Sequence, residues 1–151
     1  MKDNYKKLLK VELEALLDAA KAVRFSLSSC EPLFGRVSFM LKDLEPIEAL
    51  TSRFGRLGDI LIQRVCRSID EIELENEGTV LDRINRAEKR NFGSADMLVE
   101  ARRLRNRIAH EYVPDAAEKF FKRTYELSGE LLESVKCVEE FCKERYGISR
   151  S

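Results

Sequence analysis

Apolar residues recur along this chain at steps of three and four, the spacing that lines one side of an α-helix. Between residues 3 and 27, Leu9, Leu13, Leu16, Ala20, Val23 and Leu27 form one such stripe, and Ser28-Ser29-Cys30-Glu31-Pro32 interrupts it. Over residues 33 to 45 the pattern is short: Val37, Phe39 and Leu41 alternate as a strand does, but no partner strand is evident, so a loop or short helix is expected. Pro46 then suits the first turn of a second long helix, where its missing N–H costs nothing. The stripe of that helix is Ile47, Leu50, Phe54, Leu57, Leu61, Val65, Ile69 and Ile72. Gly55 and Gly58 either weaken it locally or admit a close neighbour. Asn76-Glu77-Gly78 ends it, and Thr79 caps a short helix over about 79–90. Asn91-Phe92-Gly93 reads as a turn, and Ser94 caps a helix running to about Tyr112. Pro114 stops that helix, because the residue before a proline is pushed out of helical geometry. A last long helix over 115–145 carries Phe121, Leu127, Leu131, Val135, Val138 and Cys142, and Gly147 closes it. The pattern predicts an all-α fold: an up-and-down four-helix bundle with an additional short helix, in a single domain spanning 1–151.

Composition narrows the function. The chain has 151 residues, enough for one domain with a real core. Lys and Arg number 27 and Asp and Glu number 27. Zero net charge argues against a general coat protein for nucleic acid, so any RNA contact must come from a local basic patch. No apolar run approaches the roughly 20 residues that span a bilayer. The opening Met1-Lys2-Asp3-Asn4-Tyr5 leads into a charged amphipathic segment and does not read as a signal peptide, so a cytoplasmic protein without membrane contact is expected. Cys30, Cys66, Cys137 and Cys142 form no Cys-x-x-Cys pair, and with one histidine there is no zinc pattern, so no metal or cofactor is expected and the thiols are read as reduced and mostly buried. The acidic run from Asp70 to Glu77 is scattered around the helix axis by its spacing, which predicts a solvated helix end rather than a metal site.

The most informative segment is Arg105-Asn106-Arg107-Ile108-Ala109-His110-Glu111-Tyr112, which holds the only histidine. Further arginines stand at 102 and 103. Imidazole titrates near neutral pH unaided, and guanidinium holds phosphate through paired donors. On a wheel advancing about 100° per residue, Met97, Ala101, Leu104, Ile108 and Tyr112 fall within about 80° and define the inward stripe. Arg105 lies at the edge of that stripe. Asn106 and His110, four residues apart, point nearly the opposite way with Arg102 and Arg103 beside them. That arrangement suggests work on a phosphodiester, provided the groups converge.

The string Arg-Asn-x-Ile-Ala-His-x-Tyr, on the penultimate helix of a small bundle, resembles the HEPN superfamily, and within it HepT-type toxins and the companion subunits described as nucleotidyltransferase substrate-binding proteins. Arg105 matches the family's arginine, Asn106 its following polar position, His110 its histidine and Tyr112 its tyrosine. The resemblance implies a homodimer whose motif helices meet across a two-fold axis, with Arg105 and His110 of both copies lining one cleft. It implies a metal-independent endoribonuclease, paired with an MNT-type nucleotidyltransferase antitoxin that places AMP groups on the motif tyrosine. Attack by a ribose 2′-OH benefits from both a base and an acid, and a dimer supplies two imidazoles where one chain has one. Arg105 would stabilise charge on the phosphorane-like transition state, and Asn106 would orient His110 or donate to a phosphate oxygen.

Two other readings stand beside the nuclease. In one, the same four residues are ligand contacts in a non-catalytic subunit that presents a substrate or nucleotide to a nucleotidyltransferase. In the other, the chain is a plain helical interaction domain. It is not expected to be the transferase itself, since Gly93-Ser94 is followed by no Asp-x-Asp pair. Tyr112 on the apolar stripe also has an ordinary packing explanation, with its hydroxyl reaching water.

Overall fold

The computed structural model describes residues 2–111 and 113–150, side-chain placement excepted at Val113 and Pro114. Every regular element among them is helical. In chain order these are α1 (Lys2–Cys30), a single 3₁₀ turn at Glu31–Leu33, α2 (Leu41–Asp59), a π-helical segment (Ile60–Val65), α3 (Cys66–Ile72), α4 (Val80–Lys89), α5 (Ala95–Ala109) and α6 (Val113–Tyr146). Backbone angles stay right-handed helical through both ends of the π segment, so α2 and α3 belong to one continuous rod. α1 packs on that rod and on α6, α5 packs on α2 and α6, and the short α4 leans on α5 and α3.

The apolar stripes meet in one core. Leu9, Leu13, Leu16, Ala20 and Val23 of α1 are buried, as is every stripe residue from Ile47 to Ile72 and every one from Phe121 to Cys142. Gly58 faces α6, where a methyl group in its place would make an ordinary contact, 3.9 Å from Leu131 Cδ1. The turn before α5 is tighter. Asn91 has φ of 63° and Gly93 φ of 145°, and a Cβ on Gly93 would fall 2.6 Å from Ser134 Oγ of α6. Only glycine passes there.

Helix ends follow the expected chemistry, with three displacements. Thr79 Oγ1 accepts from the Asp82 N–H at 3.3 Å, and Ser94 Oγ from the Met97 N–H at 3.1 Å. α1, however, continues through Ser28 and Ser29 to Cys30, because the Ser29 hydroxyl donates to the Phe25 carbonyl and stays on the helix. α2 starts at Leu41, so Pro46 lies in its second turn rather than its first. The start is set by Asp43, whose carboxylate accepts the Met40 N–H at 2.9 Å. Val37 and Leu41 are almost wholly exposed, and the loop between α1 and α2 is tied down instead by Phe34 stacked on Tyr125 and Phe39 edge-on to Phe121. Finally, α5 stops at Ala109 with His110 as its C-cap, three residues short of Tyr112. Pro114 falls in the first turn of α6, where a proline is at home.

The acidic run is a solvated helix end only in part: Glu75 and Glu77 are exposed, but Asp70 and Glu73 are engaged. Asp70 is buried, and its carboxylate takes Arg86 at 2.9 Å, Arg90, and the Arg83 guanidinium at 3.8 Å. Arg83 and Arg86 stand at i and i+3 on α4 and Arg90, at i+7, is its C-cap, so one carboxylate of α3 receives three guanidiniums from one side of that helix. Glu73 accepts two hydrogen bonds from Arg145 and one from the Tyr146 hydroxyl at 2.6 Å, which fastens the end of α6 to the end of α3. Helical spacing scatters the acids around the axis, as expected, but different neighbours wait on each side. Among the described residues no three His, Cys, Asp or Glu side chains converge as a metal site would require.

Cys30, Cys66 and Cys142 are buried free thiols and Cys137 is an exposed one. Burial pushes Cys30 up to about 11, and Cys66 and Cys142 each up to about 12. No helix among the described residues is long and apolar enough to cross a membrane.

Two outcomes are expected. Asp70→Ala leaves three guanidiniums around an empty position, and equilibrium urea unfolding should show a loss of about 3 kcal/mol. Glu73 titrates below the ordinary glutamate range because the Arg145 hydrogen bond, and then that of Tyr146, favours its charged form. Its contribution is therefore complete above the unfolded-chain value of about 4.3 and fades as pH falls through the lower folded value. Thermal melts of Glu73→Gln should differ from the parent above about pH 5 and converge with it in acid.

Candidate functional site

α5 and the rod enclose a groove of about 450 Å³, with Ser52, Gly55, Arg56, Asp59 and Arg64 on the rod side and Arg105, Ile108 and Ala109 on the α5 side. Past Asp59 and Arg64 it continues into a second hollow of about 350 Å³ bounded by Gln63, Arg102 and Asn106. Four guanidiniums and one carboxylate thus line the two hollows. In a chain of zero net charge this is a segregated positive surface, the local basic patch that composition left as the only route to a phosphate backbone.

Local sequence explains the geometry. Ser52, Arg56, Asp59 and Gln63 follow one another at steps of four, three and four, a polar stripe on the side of the rod away from the stripe through Phe54, Leu57 and Leu61. Gly55 sits beside it, and a Cβ there would lie 3.4 Å from Arg105 Cγ, so the missing side chain is the space along which the arginine stem runs. The π segment begins at Ile60, so Gln63 and Arg64 are presented from a locally widened turn. Arg105 reaches across to Asp59, its Nε and Nη2 at 3.0 and 2.9 Å from the same oxygen, Oδ2. Both side chains remain about 40–46 % exposed.

The segment found in the sequence is divided by the fold. Arg105, Asn106 and Arg102 come together at the groove. Asn106 is half-buried there rather than outward, because the wall formed by Gln63 and Arg64 closes over that side of α5; a wheel drawn for one helix contains no second helix. Arg103 shares with Arg102 a small hollow against Leu81, Ile84 and Val99 on the α4 side. Arg107 turns to α6 and stacks on Phe120, its guanidinium carbon 4.8 Å from the ring centroid. His110 is exposed at the end of α5, one residue beyond the groove wall at Ala109, and makes no side-chain hydrogen bond among the described residues. Glu111, its neighbour, pairs with Lys119 at 3.1 Å. Tyr112 lies outside the described residues.

Arg56, Asp59, Gln63 and Arg64 were not singled out from the sequence. The signal available was the four-three-four polar stripe itself, which a reading confined to apolar positions passes over. With donors in fork geometry on two walls, the groove is suited to gripping oxyanions.

Because the Arg105–Asp59 pair is half-solvated, Arg105→Ala should cost less than about 1 kcal/mol in stability. A melting temperature within a few degrees of the parent would establish that any functional loss in this variant is not a loss of fold.

Scanned against models of known families and searched against curated proteins and solved structures, the chain matches none.

Proposed function

We propose that this chain is a HEPN-type endoribonuclease toxin of the HepT kind, acting as a homodimer on RNA without a metal ion. In this reading the helices form an up-and-down four-helix bundle with α4 as the additional element, one domain throughout, working in the cytoplasm. The observation that carries it is a groove lined by guanidiniums on the same short helix that ends in the lone histidine: Arg105 and Asn106 line the two hollows, and His110 caps the helix one residue beyond Ala109.

The chemistry follows from two copies. An imidazole from one protomer removes the proton of a ribose 2′-OH, whose oxygen attacks the adjacent phosphorus. The P–O5′ bond breaks, and the imidazolium of the other protomer gives its proton to the departing 5′ oxygen. The products are a 2′,3′-cyclic phosphate and a 5′-hydroxyl. Arg105 neutralises charge on the equatorial oxygens at the moment it develops, where a fixed donor contributes most. An exposed histidine at a helix end, without a side-chain partner among the described residues, is suited to meeting its twin across a two-fold axis. An MNT-type nucleotidyltransferase antitoxin is the proposed partner, with Tyr112 as the residue it adenylylates.

One observation favours the second reading, in which the chain is a non-catalytic subunit holding a nucleotide for a nucleotidyltransferase. Arg105 is already paired with Asp59, and His110 is not part of the groove wall, so the groove alone offers binding without proton transfer.

Incubation with RNA in EDTA separates the two. The nuclease reading expects cleavage to 2′,3′-cyclic phosphate ends, at least about 100-fold slower in His110→Ala because one acid–base group typically contributes that much or more. It also expects growth arrest on expression that Arg105→Ala abolishes, and a dimer in sedimentation. Full cleavage by His110→Ala would sink it. An inert, non-toxic protein that binds a minimal nucleotidyltransferase would establish the second reading instead.

A further inference from the structure

Among the groove's guanidiniums, Arg105 is the one already occupied. Arg56, Arg64 and Arg102 are exposed and make no ion pair or hydrogen bond with any described residue, whereas Arg105 is held by Asp59. Asp59 is also the one acidic side chain along the two hollows. A carboxylate in the middle of a cationic stripe is out of keeping with simple phosphate binding.

We infer that Asp59 is an internal counter-ion that occupies the phosphate position on Arg105, so that RNA binding is an exchange of carboxylate for phosphodiester on one guanidinium. The geometry of the pair suits exchange. Nε and Nη2 both converge on Oδ2, so the carboxylate does not make the two parallel bonds of the strongest arginine pairs. A phosphodiester has two non-bridging oxygens and satisfies the same fork with one bond to each. Asp59 and Arg105 are half-exposed, so water screens their attraction, and the displaced carboxylate regains hydration instead of being stranded in the core.

The exchange sets a threshold for ligands. An anion that reaches Arg105 alone meets both the competition and the negative charge of Asp59. A strand whose neighbouring phosphates engage Arg56, Arg64 and Arg102 has the additional attraction needed to displace it. Asp59 therefore tunes the groove toward chains of phosphates and against single small anions. This rests on the proposal that the groove receives RNA phosphates, but not on cleavage.

Fluorescence polarisation with a short single-stranded oligoribonucleotide, fully 2′-O-methylated so that it binds without being cut, tests it. Asp59→Asn keeps the side-chain shape and should bind about three- to tenfold tighter than the parent, the scale of a half-exposed ion pair plus the lost repulsion. Glu133→Gln makes the same charge change on α6, outside the groove, and should leave affinity unchanged. In an Arg105→Ala background the Asp59→Asn gain should shrink to the part due to general repulsion, since the exchange itself acts through one contact. A gain no larger than that of Glu133→Gln, or one that is undiminished without Arg105, overturns the inference. So does absence of binding by every variant at low salt. Tighter binding by Asp59→Asn, with unmodified RNA left intact by both proteins, supports the exchange while removing the nuclease reading.

Discussion

α5 puts Met97, Leu98, Ala101 and Leu104 into the core and packs Ala95, Val99 and Ile108 against it, and polar ties spread along its length add direction to that apolar face. Ser94 caps its first turn, and Glu88 accepts the Ala95 N–H at 2.7 Å from the end of α4. Glu100 grips Arg123 of α6 in the middle, and Arg105 reaches Asp59 near the end. Gly93 against Ser134 fixes the point at which the chain enters. The apolar face and these ties together keep one side of α5 at a set distance from the rod, and the groove lies between them. A helix that slid by one turn would carry Arg105 past Gly55 and close the space its stem occupies.

The tie through α4 has the deepest foundation. Three guanidiniums on one buried carboxylate have desolvation to overcome, and further acceptors offset part of it: Arg83 donates to the Ile62 carbonyl and Gln63, Arg86 to the Glu77 carbonyl, and Arg90 to Glu75, while Nε of Arg83 and of Arg86 is buried without a hydrogen bond among the described residues. Removing one member of such a cluster is costly, because the charges left behind are buried without compensation. The Arg83 contact with Gln63 also joins this cluster to the floor of the groove. Structure and candidate site thus share a residue, and the charges far from the site help decide where its wall stands.

Much of this was legible in the sequence. The apolar stripes of α1, the rod and α6 were correct nearly residue by residue, since periodic burial is a property of one helix against a generic core. The caps at Thr79 and Ser94 were legible because they satisfy backbone groups three residues away. What escaped depends on a second element. Asp70 looked solvated until α4 supplied its arginines, Asn106 looked outward until the rod closed over it, and Asp59 was marked only by its place on a polar stripe. The π segment is likewise invisible in Ile60–Val65, whose residues suit an ordinary α-helix. The Arg-Asn-x-Ile-Ala-His-x-Tyr string was prominent as a motif, but its members separate in space: Arg105 and Asn106 to the groove, Arg107 to Phe120, His110 to the helix end.

Net charge misleads for the same reason. Equal numbers of acids and bases suggest indifference to polyanions only if they are mixed evenly, and they are not. Asp70, Glu73 and Glu100 are consumed in ion pairs that hold helices together, leaving little free negative charge beside the groove. Arg56, Arg64 and Arg102 lie along both hollows with Asp59 as the one carboxylate between them. Since screening at physiological salt confines an exposed charge to about 8 Å, a ligand in the groove responds to that local set and not to the total. The acids that balance the chain's charge thus do structural service elsewhere, and a neutral protein keeps a cationic face.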